Sequence, residues 1–175
     1  MTQIEEQTCR DEALIPAPAG EVFTVLTDLT TWGRWWTLVN VVPLGATTLA
    51  PGVRFRFEGQ RPGGPVTGWT AEVQEMIPDR RIEFAYVEGD LIGRTAWELE
   101  PEGAGARAAY VYRGVHAEAP GSAATFSRYG TRLHSVAMQV DALAGLARYV
   151  KGEPLDDGWR ADVAARMAAG VEALE

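Results

Sequence analysis

Three kinds of side chain in this sequence could do chemistry at neutral pH, and their positions decide how far each can be taken. The chain has two histidines. His134 follows Leu133 at the edge of an apolar helical stripe, where an imidazole that titrates near neutrality could act as an acid or base. A hydrogen-bonded helix histidine is the commoner arrangement. His116 falls near a strand-to-helix loop and reads as solvated. Tyr86 and Tyr110 sit in alternating strand patterns; phenols are weak acids, so they would donate hydrogen bonds and not serve as bases. Arg54, Arg56, Arg94, Arg107 and Arg113 fall on charged strand faces, where Glu neighbours pair with them in solvent. A one-residue slip or a bulge would turn Arg54 or Arg94 inward, and a buried guanidinium could then polarise a carbonyl or hold a carboxylate.

Other chemistries are not supported by the local text. The two histidines and the single Cys9 lack close ligand spacing, with no His-x-x-x-His and no paired cysteines, so no metal is expected. Gly103-Ala104-Gly105 joins two strands and opens no helix, which is not a dinucleotide loop, and no Gly-x-Ser-x-Gly occurs; no cofactor is expected. A lone cysteine excludes an intramolecular disulfide. A net charge of -8 without any basic block argues against nucleic acid as a partner. No apolar run approaches the ~18 residues of a membrane span, so membrane insertion is not expected. Met1 to Asp11 is polar and acidic, without a signal-like apolar stretch, and points to the cytoplasm.

The elements that must position these groups follow from periodicity. At 175 residues, 46% hydrophobic and 23% charged, the chain fits one domain with a sizeable core, or one domain plus a small appendage. Ile4 to Ile15 reads as a first strand, stopped by Pro16-Ala17-Pro18. A short helix carrying Val22, Phe23, Leu26 and Leu29 follows, then a second that Asp28 can cap and that bears Trp32, Trp35 and Trp36. From Val39 to His116 the pattern changes to strands: Val39–Leu44, Val53–Glu58, Trp69–Ile77, Arg81–Glu88, Leu91–Glu100 and Arg107–Gly114, divided by Gly and Pro turns. Ser122 to Val150 then reads as one long helix, with Phe126, Tyr129, Leu133, Val136, Val140 and Leu143 in a single stripe and a stop at Gly152. Consecutive strands without intervening helices call for an antiparallel meander, so the fold class is α+β: a curved sheet of about seven strands around a long helix. The ligand domain is read as residues 1–152. Residues 153–175 form an extension with a short amphipathic helix through Val163, Met167, Val171 and Leu174, placed against the domain or a partner.

Ile15-Pro16-Ala17-Pro18-Ala19-Gly20-Glu21-Val22-Phe23, then Leu26, Asp28 and Trp35-Trp36, resembles the opening of the START-like (SRPBCC) superfamily, whose fold is the helix grip. Ile92 to Leu99 and Leu146 to Gly152 are similar to its later strand and final helix. The resemblance spans roughly Thr8 to Gly152 and implies an internal cavity for an apolar ligand, as in polyketide cyclases and dehydrases, plant allergens and lipid-transfer domains.

Phe55, Trp69, Phe84, Tyr86, Trp97 and Tyr110 are expected to share the concave face, with Phe126 and Tyr129 opposite them on the helix. Periodicity alone favours an ordinary core. A lining rich in Trp and Tyr, a helix face thinned by Ala137, Ala144 and Gly145, and the resemblance together favour a cavity. The three closely spaced tryptophans read as anchors of the second helix, with the mouth of a cavity as the alternative. The expected function is binding of a hydrophobic, aromatic or polyketide-like small molecule, with cyclisation or dehydration as the attached reaction. An inward Arg54 or Arg94 together with Tyr86 or Tyr110 would then stabilise an enolate, as the resemblance implies. A carrier or sensor without chemistry, a protein-interaction module, and a homodimer all stay open.

Overall fold

The structure, a computed structural model, describes residues 6–59, 67–116 and 131–174. Seven strands form one sheet in the order β1-β7-β6-β5-β4-β3-β2. They are β1 (Gln7–Ile15), β2 (Val39–Pro43), β3 (Arg54–Gly59), β4 (Thr67–Ile77), β5 (Arg81–Gly89), β6 (Leu91–Glu102) and β7 (Gly105–His116). Every neighbouring pair is antiparallel. Short turns enforce this pairing from β4 to β7; α1 (Ala19–Thr27) and α2 (Leu29–Trp35) lie between β1 and β2, and β7 returns to pair with β1. Two register shifts in the β4–β5 pairing, at Thr70/Ala71 and Val73/Glu75, add the local twist that curls the sheet.

The register settles the arginine question. Arg54 is opposite Glu72 and bonds it at 2.6 Å, while Arg94 reaches Glu83 at 2.7 Å with its side chain 67% exposed. Arg107 bridges Glu12 and Glu102, and Arg56 and Arg113 also face acidic partners. The slip that would bring Arg54 or Arg94 inward does not occur: the extra residues are Val87 in β5 and Gln74 in β4, and both arginines belong to the solvated outer face.

The long helix departs from a smooth stripe. It runs as α3 (Thr131–Ala137), one π turn (Met138–Ala142) and α4 (Leu143–Val150), and the Leu143 N–H donates to the Met138 carbonyl five residues back. Ser122, the expected N-cap, lies outside the described residues. The wide turn shifts the phase of the helix, so the buried positions are Leu133, Met138, Asp141, Ala142, Leu143, Gly145 and Leu146. Val136 and Val140, expected in the stripe, are only half-buried. The π turn carries a buried carboxylate. Asp141 accepts from the Thr37 N–H at 2.9 Å, the Thr37 hydroxyl at 2.8 Å and the Leu38 N–H at 2.7 Å, which ties the helix to the junction of α2 and β2. Burial raises the Asp141 carboxyl above its ordinary range, and the bonds from Thr37 and Leu38 work against that rise.

Gly145 also has a different role from the one its small size suggested. A Cβ there would stand 1.9 Å from the Trp35 carbonyl oxygen, so the glycine lets α4 touch the backbone of α2 and leaves no hollow. At the C-terminus, Asp156 caps α5 (Asp157–Glu172) by accepting from the Trp159 N–H. This helix, with 16 residues, is longer than expected. It buries Trp159 and Val163, lays Trp159 under the Arg148 guanidinium at 5.0 Å, and brings Gly170 against Val136, so the extension packs back on the domain. No described helix is long and apolar enough to cross a membrane.

Candidate functional site

Strand alternation places Phe55 and Phe57 of β3, Trp69 of β4, Phe84 and Tyr86 of β5, Trp97 of β6, and Tyr110 and Tyr112 of β7 on the concave face. The helices add Trp32, Trp35, Trp36 and His134. All six sheet residues expected there are found on that face, Trp69 only partly buried and the other five almost fully. Phe126 and Tyr129 lie outside the described residues.

These rings divide into two ends. At the first, Trp32 contacts Trp35, Phe55, Phe57 and Phe84 at centroid distances of 5.5 to 6.2 Å. Trp35 meets the edge of Trp97 at 6.1 Å. The indole donors are used locally: Trp32 Nε1 donates to the Leu26 carbonyl at 3.1 Å, and Trp35 Nε1 to the Thr31 hydroxyl at 3.2 Å. Edge-to-face and tilted contacts of this kind are those of a filled core, so Phe55, Phe84 and Trp97 serve as its walls.

The second end carries polar edges. The Tyr86 and Tyr110 hydroxyls are 2.5 Å apart and fully inside the protein. Cross-strand pairing places Thr95 opposite Tyr112 and Trp97 opposite Tyr110, and the Thr95 hydroxyl donates to the Val111 carbonyl at 2.8 Å. Trp69 leans on Tyr86 at 5.9 Å, and Tyr86 stacks with Tyr112 at 6.0 Å. Burial pushes the Tyr110 phenol up to about 12. Tyr86 is driven well above its ordinary value, by burial first and then by Tyr110, against smaller opposing bonds from Thr95 and Trp69. Both phenols stay protonated near neutrality and can only donate or accept hydrogen bonds.

His134 reaches this same end. Its ring lies 5.8 Å from Tyr110 and 5.9 Å from Tyr112, nearly parallel to both. Its Nδ1 is 3.3 Å from Cys9 Sγ and 3.4 Å from Asp11 Oδ2. Cys9 and Asp11 stand two apart on β1, hence on one face, and both are buried. Burial, with the Asp11 charge adding to it, pushes the Cys9 thiol up to about 12, so it is no nucleophile at neutral pH. Neither β1 residue stands out by motif. The only trace is the i, i+2 spacing, and their partner is 125 residues away. Tyr112 shares its alternation with Tyr110 and was legible as its neighbour. The side chain of His116 lies outside the described residues. Two shallow surface depressions, one beside Gly33, Tyr149 and Leu155 and one beside Ile77, Arg81 and Pro101, do not enter the aromatic interior.

A curled antiparallel sheet closed by a long helix over an aromatic interior defines the helix-grip class of START-like proteins. Among solved structures, protein TTHA0849 from Thermus thermophilus superposes with a TM-score of 0.71 at 22% identity, covering 83% of this chain and 98% of its own. The Zhui aromatase/cyclase from Streptomyces matches with a TM-score of 0.66 at 18% identity, over 86% of this chain and 100% of its own. DynU16, described as a putative protein in the dynemicin biosynthetic locus, matches with a TM-score of 0.55 at 21% identity, over 85% of this chain and 49% of its own. No curated protein sequence matches. The sequence matches the family described as "Polyketide cyclase / dehydrase and lipid transport" over residues 6–175, so the chain belongs to that family, and the match includes the C-terminal extension.

Proposed function

We propose that this protein binds an aromatic or polyketide-like small molecule at the polar end of its aromatic interior and promotes its cyclisation or dehydration. The observation that carries this reading is the buried Tyr86–Tyr110 hydroxyl pair, set among ring faces and 2.5 Å apart. A ligand carbonyl or phenol oxygen can take the place of one partner and receive a hydrogen bond from the other. The ring faces of Trp69, Tyr86 and Tyr112 give a planar ligand broad apolar surface.

In the reaction, a flexible poly-β-ketone would be folded against these faces until its carbon nucleophile meets a carbonyl, so most of the acceleration would be orientational. The tyrosine pair would donate to the enolate oxygen as charge develops there. Family membership and the likeness to an aromatase/cyclase support the reaction class.

The test is incubation of the full-length protein with a short linear poly-β-ketone thioester, followed by chromatography and mass spectrometry. Cyclised or dehydrated product, reduced at least tenfold in Tyr86→Phe and Tyr110→Phe, supports the enzyme. Binding without turnover assigns a carrier, and absence of binding overturns the reading.

A further inference from the structure

Outside the tyrosine pair, the most unusual arrangement is the meeting of a thiol, a carboxylate and an imidazole under α3. Cys9 Sγ and Asp11 Oδ2 approach the same nitrogen, His134 Nδ1, at 3.3 and 3.4 Å, and all three atoms lie within 4.8 Å of one another. His134 Nδ1 can serve only one of these two neighbours at a time. A protonated Nδ1 can donate to Asp11 and then accepts nothing from Cys9; a bare Nδ1 can accept from the thiol and then donates nothing to Asp11. The Asp11 side chain is only 6% exposed, and its Oδ2 has no hydrogen bond among the described residues. A buried carboxylate oxygen held only by a 3.4 Å ion pair, with no hydrogen bond, has room for a stronger partner.

We propose that Cys9 Sγ, Asp11 Oδ2 and His134 Nδ1 bind a divalent transition-metal ion, with zinc the best match to the donor set. Zinc takes sulfur at about 2.3 Å and nitrogen or carboxylate oxygen at about 2.0–2.1 Å in a tetrahedron. Those lengths place neighbouring ligand atoms about 3.3–3.6 Å apart, which is the spacing around His134 Nδ1. A thiolate, a carboxylate and a neutral imidazole bring two negative charges to a divalent cation, so the buried cluster would be neutral when filled. On binding, the thiol proton passes to solvent and the sulfur coordinates as thiolate. The flanking rings of Tyr110 and Tyr112 hold the imidazole plane, as outer-shell groups do at metal sites. Three protein ligands leave a fourth position for water or an oxygen of a small molecule. The expectation of no metal rested on spacing along the chain, whereas these ligands come from β1 and a helix 125 residues away.

Tag-free, full-length protein, treated with a chelator and exchanged into metal-free buffer, is titrated with cobalt(II) and then competed with zinc. One equivalent of cobalt per chain is expected, with a thiolate-to-cobalt charge-transfer absorption and the intense visible bands of a tetrahedral ion, both displaced by one equivalent of zinc. Cys9→Ser should abolish the charge-transfer band, and Cys9→Ser, Asp11→Asn and His134→Gln should each weaken zinc binding about 100-fold or more while circular dichroism stays native. A variant that does not fold is replaced by wild-type protein alkylated at Cys9 in denaturant and refolded, compared with mock-treated protein refolded in parallel. Absence of saturable binding to wild type, or binding unchanged by all three substitutions, overturns the proposal. The readout does not depend on any organic ligand, so it can fail while the function proposed above stands, and the reverse.

Discussion

The two ends of the interior are built from the same kinds of residue and handle their polar atoms differently. At the indole end, Trp32 and Trp35 spend their N–H donors on Leu26 and Thr31, neighbours within the same helical pair, and the rings are locked on every side. At the tyrosine end the hydroxyls of Tyr86 and Tyr110 bond each other beside Thr95 within a bed of rings, and among the described residues Asp11 Oδ2 has the 3.4 Å ion pair with His134 and no hydrogen bond. A core reaches its lowest free energy when buried polar groups are satisfied from within. Trp32 and Trp35 meet that condition and act as foundation, whereas Trp97 Nε1 beside them and, at the tyrosine end, Trp69 Nε1 and Asp11 Oδ2 have no hydrogen bond among the described residues.

This contrast can be broken or sharpened by substitution. Trp32→Ala should cost the most, roughly 3–5 kcal/mol of unfolding free energy in a urea titration, because it empties a fully enclosed site. Asp141→Ala removes the acceptor for the Thr37 and Leu38 N–H groups, and should cost roughly 2–3 kcal/mol in the same measurement. Tyr110→Phe should move stability by only about 1 kcal/mol, yet weaken an aromatic hydroxyketone about tenfold in isothermal titration calorimetry. Arg94→Ala on the outer face should change stability by less than about 0.5 kcal/mol and leave ligand affinity untouched, since its pair with Glu83 is exposed on the arginine side. If Trp32→Ala and Tyr110→Phe gave the same pattern, a division into foundation and site would be lost.

Much of this architecture is legible in the sequence because it rests on local periodicity. Alternation in β3 to β7 places Phe55, Phe84, Tyr86, Trp97 and Tyr110 inward and Arg54 and Arg94 outward without reference to anything distant. What escapes is set by residues far apart in the chain. The π turn carries the bonds between Asp141 and Thr37, 104 positions away, and the smooth stripe through Val136 and Val140 is displaced with it. Gly145 reads as a thin spot along the helix, and only the carbonyl of Trp35 reveals it as a point of contact. Cys9 and Asp11 look like ordinary strand residues until His134 arrives over them.

Under the function proposed here, ligand would enter at the tyrosine end and leave the indole end undisturbed. A two-dimensional proton–nitrogen spectrum of the 19.0 kDa protein, titrated with a planar aromatic hydroxyketone, tests it directly through the tryptophan side-chain signals. The Trp69 indole signal and the Thr95 and Tyr112 amides should shift, while the Trp32 and Trp35 indole signals stay in place. Shifts centred on Trp32 and Trp35, or no saturable shift anywhere, would contradict the account.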